Sequence, residues 1–350
     1  MSGDALSNQY ISSLNEVIIK KQIAKRYFRL LGPILLSCFL VYILMASHLT
    51  FNVEAAKIVG SKNWLGSFLP FNENLLDLFL YSTNFVFTNH QISNSYNPFL
   101  WPMSIELFGS ALVFCFMIIY KNLQKPLEIT ILAALYLFII GSFYSLFFIG
   151  IAFAILREKS FFLKASQKSY SNLISGFLIF VVIFVDWMLF THSSGGFADA
   201  VLPETLNVST SPINARDLDY LSDHSFLELI KTYKDAIRIR VNIALASLVV
   251  YAIYRNTLLK SLCSSPLSEW LGKISFPLYV THFAIIISFT SWSIIELSKR
   301  DLLTSNYSIA IIFISTGIAL FVAQIFSVIE RLYLIRLNTI VDNIFAPLKR

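Results

Sequence analysis

Along its length the chain alternates long apolar runs with short polar connections. Runs near the ~20 residues that cross a bilayer fall at about 28–47, 101–120, 172–190, 276–295 and 307–329, with a shorter one at about 241–254. The region 127–156 is nearly all apolar, too long for one ordinary span, and Gly141-Ser142 interrupts it. It reads as a tight hairpin of two helices, the second short. The pattern predicts an all-α fold, a polytopic transmembrane helical bundle of about eight spans. No internal repeat or low-complexity linker divides it, so it reads as a single membrane domain over 1–350 with outer loops at about 48–100 and 191–238. The apolar piece near Leu75–Phe87 in the first loop is short and runs into Thr88-Asn89-His90-Gln91. It is expected to be an interfacial or re-entrant helix.

Composition agrees. Charged residues make up 14% of the chain against 56% hydrophobic, too few to cover a water-facing surface at the usual ~25%. With the amino end inside, the inner segments hold eighteen of the 27 Lys and Arg, the direction the positive-inside rule demands. The long outer insertion is acidic and carries the glycosylation-type triplet Asn207-Val208-Ser209. The net charge of +6 does not point to nucleic acid, because the basic residues sit in short loops rather than in a patch. Cys38, Cys115 and Cys263 show neither metal spacing nor a disulfide framework.

Four stretches could carry chemistry. Arg26 and Arg29 open the first complete span three residues apart, on one helical face before Pro33. Such a pair suits phosphate oxygens, and equally an anchor among lipid headgroups. Glu106 lies about two turns into the next span, just after Asn97, Trp101 and Ser104. A carboxylate there costs several kcal/mol unless it faces a cavity or a partner; the other reading is snorkelling to the interface. His282 closes the run Ser275-Phe276-Pro277-Leu278-Tyr279-Val280-Thr281-His282. It is a candidate general base or a structural histidine bonded to a neighbouring helix. Glu330, where the last span meets the inner surface, reads as an interfacial charge paired locally. His48, His90, His192 and His224 are isolated and mostly in outer loops, where solvated histidines are ordinary.

In this order the segments resemble the acyltransferase 3 family of integral-membrane acyltransferases. The family pattern is Arg-x-x-Arg before a Pro, Trp-x-x-Ser-x-Glu, Ser-[Tyr/Phe]-x-Leu-Tyr-x-x-His and a late Ile-Glu. Here it is matched by Arg26/Arg29, by Trp101/Ser104/Glu106, by Ser275 to His282, and by Ile329-Glu330.

The resemblance implies transfer of an acyl group, commonly acetyl, from acyl-CoA as co-substrate to a hydroxyl of a saccharide, glycolipid or other acceptor. No bound cofactor or metal is expected. Arg26 and Arg29 become donor-side residues, Glu106 and His282 the catalytic candidates, and Asn97, Trp101, Ser104, Ser275 and Tyr279 the acceptor pathway. The chain is expected in a cell membrane with its amino end cytoplasmic, and its partners are acyl-CoA, the acceptor and lipids. Counted from opposite surfaces, Glu106 and His282 are expected to differ in depth by roughly 10 Å, with Glu106 outside and Arg26 at the inner mouth.

The family usually begins with two further spans, the first carrying a catalytic His. The opening Met1-Ser2-Gly3-Asp4-Ala5-Leu6-Ser7 resembles the tail of the second. The expectation is therefore a chain inactive through N-terminal truncation, or one in which His282 has become the base. From another class stands a non-catalytic membrane protein, a lipid or sugar transporter or an envelope scaffold; the chain lacks the repeat symmetry common in transporters.

Overall fold

The computed structural model describes residues 2–167, 170–191 and 224–346; they form helices and turns and contain no strand. In chain order the helices are α1 (Ser2–Ser13), α2 (Glu16–Ala46), α3 (Asn52–Ile58), α4 (Leu75–Thr88), α5 (Pro102–Tyr120), α6 (Pro126–Ile139) and α7 (Ser145–Glu158). They continue with α8 (Phe161–Ser166), α9 (Ser171–Thr191), α10 (His224–Arg255), α11 (Thr257–Cys263), α12 (Pro266–Lys299) and α13 (Ser305–Ile344). Among the described residues five helices are long and apolar enough to cross a membrane: α2, α5 with the turn before it, the Ile237–Arg255 part of α10, α12 and α13. The helices α4, α6 and Ser171–Val185 of α9 are apolar but shorter.

The expected hairpin over 127–156 is present as α6 and α7. Gly141 takes φ 71°, the left-handed region that other residues adopt at a cost. Its N–H reaches the carbonyl of Phe138 at 3.0 Å, and that of Ser142 reaches Leu137 at 2.9 Å. This is the Schellman pattern of a helix end. Ser145 then donates to the carbonyl of Ala134 at 3.0 Å and ties the two helices together. The insertion expected over 191–238 differs at its far end, because α10 already begins at His224. Helix continues where a polar sequence adjoins an apolar one, since backbone bonding does not depend on hydropathy. Its remainder, with Asn207 and His192, lies outside the described residues.

The chain folds as two units. One comprises Met1–Leu14 with Ile119–Cys263, the other Asn15–Ile118 with Ser264–Arg350. In the first, α1 is fixed through Asp4, a buried carboxylate bonded by Arg157 at 2.6 and 3.3 Å and by the hydroxyl of Tyr254. In the second, α2 is central. Asn15 caps its start by accepting from the N–H of Val17 at 3.0 Å, and His48 at φ 54° ends it where glycine is usual. Leu30, Ile34, Cys38, Val41 and Met45 recur at helical spacing and form its buried face.

Against that face pack Leu78, Tyr81 and Phe87 of α4, Tyr96 and Leu100 beyond it, and Val280, Phe283 and Ile287 of α12. Close packing and interhelical hydrogen bonds must hold this contact, because lipid tails are as apolar as the side chains themselves. Two wide π turns, Tyr81–Phe85 in α4 and Ile286–Thr290 in α12, each present a carbonyl to another segment. Thr83 accepts from the Tyr27 hydroxyl at 2.7 Å, and Ile287 accepts from the Phe51 N–H at 2.8 Å. The apolar stretch near Leu75–Phe87 is thus a helix folded back onto α2.

A test of the hairpin is Gly141→Ala. It forces an alanine into the left-handed region and is expected to destabilise the protein by roughly 1–2 kcal/mol, read as a lowered unfolding midpoint in lipid nanodiscs. An unchanged midpoint counts against this turn.

Candidate functional site

The residues singled out from the sequence all fall in the second unit. Arg26 and Glu106 form an ion pair at 2.7 Å, with side chains 14% and 32% exposed. The guanidinium also donates through Nε to the Ser110 hydroxyl at 2.6 Å. Ser110, fully buried and one turn beyond Glu106, donates in turn to the Glu106 carbonyl. Arg26 is therefore held from two consecutive turns of α5. Arg29, one turn further along α2, is exposed. Glu330 of α13 lies within electrostatic reach of it. Gly32 allows that approach: a Cβ there would lie 2.5 Å from the Tyr333 ring, and the Tyr333 hydroxyl donates to the Phe28 carbonyl at 2.7 Å. Glu330 thus faces α2 across a helix interface instead of pairing locally. Towards the start of α2, Lys21 meets Asp342 at 2.5 Å.

This arrangement corrects the expected depths. Glu106 and Arg26 were placed at opposite surfaces, yet they touch. The segment after α2 folds back along it, so α5 begins part-way down the bundle rather than at the surface. A second contact sets the register. The Asn97 amide donates to the Ser37 hydroxyl at 3.1 Å and to the Val280 carbonyl at 3.0 Å. Going from Arg26 to Ser37 along α2 therefore corresponds to going back from Glu106 to Asn97, so the two runs are antiparallel. Beyond Glu106, α5 continues apolar to Tyr120 for about 20 Å, two thirds of a ~30 Å hydrocarbon core. The Arg26 guanidinium is thus paired beside a helix that stays apolar for well over two turns beyond the pair.

His282 is also displaced from its expected depth. Helix α12 starts at Pro266, so His282 lies about 24 Å along it rather than two turns in. It lies beside the Ser37 level of α2, about 16 Å from Arg26. Its partners differ from those of Glu106: Nδ1 lies 2.7 Å from the Tyr279 carbonyl, and the ring packs on Phe99 at 4.8 Å. Because a carbonyl only accepts, Nδ1 carries a proton in this contact. The Tyr279 hydroxyl donates to the Phe99 carbonyl and fixes the turn before α5.

Asn97 is fully buried and its side chain is used by α2, α12 and the N–H of Phe99. Trp101 is exposed at the start of α5. Ser104 donates to the Trp101 carbonyl, and exposed Ser275 to that of Gly272, both within their own turn. These two are not drawn to the Arg26–Glu106 pair or to His282.

Sequence reasoning missed two residues. Ser110 stands four after Glu106, a spacing that puts both on one face. His90 was taken for an ordinary solvated loop histidine. Instead Nε2 lies 3.1 Å from the Pro98 carbonyl and Nδ1 3.1 Å from the Tyr81 hydroxyl, which also reaches the Asn97 carbonyl at 3.0 Å. Burial holds its pKa below the ordinary histidine value, with the Pro98 carbonyl opposing. Only contacts between residues distant in the pattern reveal it.

The acyltransferase domain profile, Acyl_transf_3, matches residues 7–328. The chain belongs to the acyltransferase 3 family. Nothing among the curated proteins or the solved structures matches it. The family match spans the Arg26–Glu106 pair and His282, and with the long apolar helices it makes this chain a multi-pass membrane protein of acyltransferase type.

Removing either partner of the Arg26–Glu106 pair leaves the other, a part-buried charge, without this ion pair. Arg26→Ala and Glu106→Ala are each expected to cost roughly 1–3 kcal/mol, between the values for exposed and fully buried pairs. The double variant should cost less than their sum. Unfolding titrations in nanodiscs measure the cycle, and strict additivity would show that the two do not interact.

Proposed function

We propose that the protein is an O-acyltransferase that moves an acyl group, most simply acetyl, from acyl-CoA to a hydroxyl of a carbohydrate, glycolipid or similar acceptor. The observation that carries the reading is the part-buried Arg26 guanidinium, fixed by Glu106 and Ser110 of the apolar helix α5 with Arg29 one turn away. Such an expensive arrangement is expected at a functional site.

In this reading the amino end is cytoplasmic, and CoA phosphates engage Arg29 and the lysines near the start of α2. The fork of Arg29 suits phosphate oxygens. The pantetheine arm then runs along α2 from Arg29 towards the Ser37 level. The ~12 Å between Arg29 and that level is a length an extended arm can cover. At its end the thioester meets the acceptor beside His282. Nε2 takes the proton of the acceptor hydroxyl as the oxygen attacks the thioester carbonyl. The new O–C bond forms, the C–S bond breaks, and the departing CoA sulfur takes the proton from His282. Glu106 keeps Arg26 oriented throughout.

Reconstituted protein supplied with labelled acetyl-CoA and hydroxyl acceptors is expected to transfer label. His282→Ala should lower kcat by about 100-fold or more. Arg29→Ala should raise KM for acyl-CoA about 10-fold, near 1.4 kcal/mol. Transfer unaffected by His282→Ala removes the proposed base, and an absence of transfer from any acyl-CoA removes the reading.

A further inference from the structure

The end of α4 and the loop after it enclose a pocket of about 130 Å³ lined by Tyr81, Phe85, Asn89, Gln91 and Asn94. Its chemistry is specific. The lining carries no charge, although phosphates and carboxylates are best held by cations. It offers three carboxamides, each with two N–H donors and a carbonyl acceptor. Among the described residues the side chains of Asn89, Gln91 and Asn94 make no hydrogen bond to protein, and Phe85, Asn89, Gln91 and Asn94 all stand exposed around the opening. Three unengaged amides beside aromatic rings suit a ligand presenting neighbouring hydroxyls on one edge and C–H groups on a face.

The wall is built rigidly. Tyr81 is 3% exposed and sits in the π turn of α4, its hydroxyl shared between His90 and the Asn97 carbonyl. His90 is braced at its other nitrogen by the Pro98 carbonyl. Pro98 leads directly to Phe99, the ring on which His282 packs. The pocket therefore shares one short segment with the proposed base. Its volume is that of about four waters at ~30 Å³ each, below the ~300 Å³ of a whole small-molecule site. That fits one edge of a single ring.

We propose that this pocket is a subsite for a neutral, hydroxyl-rich ring, one sugar residue of the acceptor. It rests on the reading that the acceptor bears hydroxyls, but sugar binding here needs no acyl donor and no chemistry at His282. His90 acts as a positioning residue for the Tyr81 wall.

The test is saturation-transfer NMR on the whole protein in phosphatidylcholine nanodiscs, free of glycosidic detergent and of acyl-CoA. The probes are methyl β-D-glucopyranoside, methyl α-D-mannopyranoside, glucuronate and cyclohexanol, and a glycosyl diacylglycerol incorporated in the disc as competitor. The neutral methyl glycosides are expected to show saturable transfer, with weaker response from glucuronate and cyclohexanol. Displacement by the glycolipid identifies a lipid-linked sugar as the occupant; its failure to displace identifies a soluble one. Asn94→Leu and Gln91→Leu should each weaken glycoside binding at least 10-fold, whereas His282→Ala should leave it unchanged. His90→Phe should weaken it without altering probe selectivity.

Glycoside binding with no acyl transfer under any condition would keep this subsite and overturn the acyltransfer reading. Acyl transfer whose acceptor KM is untouched by Asn94→Leu and Gln91→Leu would keep that reading and overturn the subsite. Equal transfer to cyclohexanol or glucuronate would overturn it as well.

Discussion

A part-buried guanidinium packed against an apolar helix has to be neutralised by something, and here the partner is Glu106. The requirement reaches well beyond the two residues. For Glu106 to meet Arg26, α5 must start part-way along α2, and the preceding segment must fold back to allow it. That segment contains polar backbone which hydrocarbon would not tolerate unless it is enclosed by protein. The enclosure is visible in its bonds: Asn97 to Ser37 and Val280, Tyr279 to the Phe99 carbonyl, Tyr27 to the Thr83 carbonyl. A single paired charge and a re-entrant segment are thus two sides of one constraint.

The same constraint organises the possible chemistry. Arg26, Arg29 and Glu330 gather towards one end of α2, with Gly32 letting α13 approach. His282, Phe99 and Tyr279 gather about 16 Å further along the helix axis. Charges lie where phosphates could be held, and the imidazole of His282, the proposed base, lies away from them. In the proposed reading, a long flexible acyl carrier would link two such places without any large movement of the protein. The π turns contribute by freeing carbonyls to bind neighbours, so the helices that shape the site are also the ones locally unwound. Irregular turns of this kind often mark functional regions.

Much of this was legible in the chain. The hairpin at Gly141 follows from the length of an apolar run and one glycine, and the family from four short motifs in order. Depth was not legible. Counting turns from each apparent membrane surface put Glu106 and His282 on the wrong sides of each other, because α5 begins below the surface and α12 starts ten residues before its apolar run. Helix boundaries obey backbone bonding and capping, whereas hydropathy reports only where lipid could lie. Ser110 could have been found by the spacing from Glu106. His90 could not, since its two partners Tyr81 and Pro98 come together only when the loop folds.

The central claim is that α5 lies beside α2 with Glu106 and Ser110 level with Arg26. Cysteine cross-linking measures it most directly, in a background where Cys38, Cys115 and Cys263 are replaced by alanine. Arg26→Cys combined with Ser110→Cys should be joined efficiently by oxidation or by a short bismaleimide. The joined chain should survive as one band after protease cleavage in the 70–74 segment, which lies between the two cysteines. Efficient joining of Arg26→Cys to Met117→Cys, with none to Ser110→Cys, would place α5 higher along α2 and contradict the account.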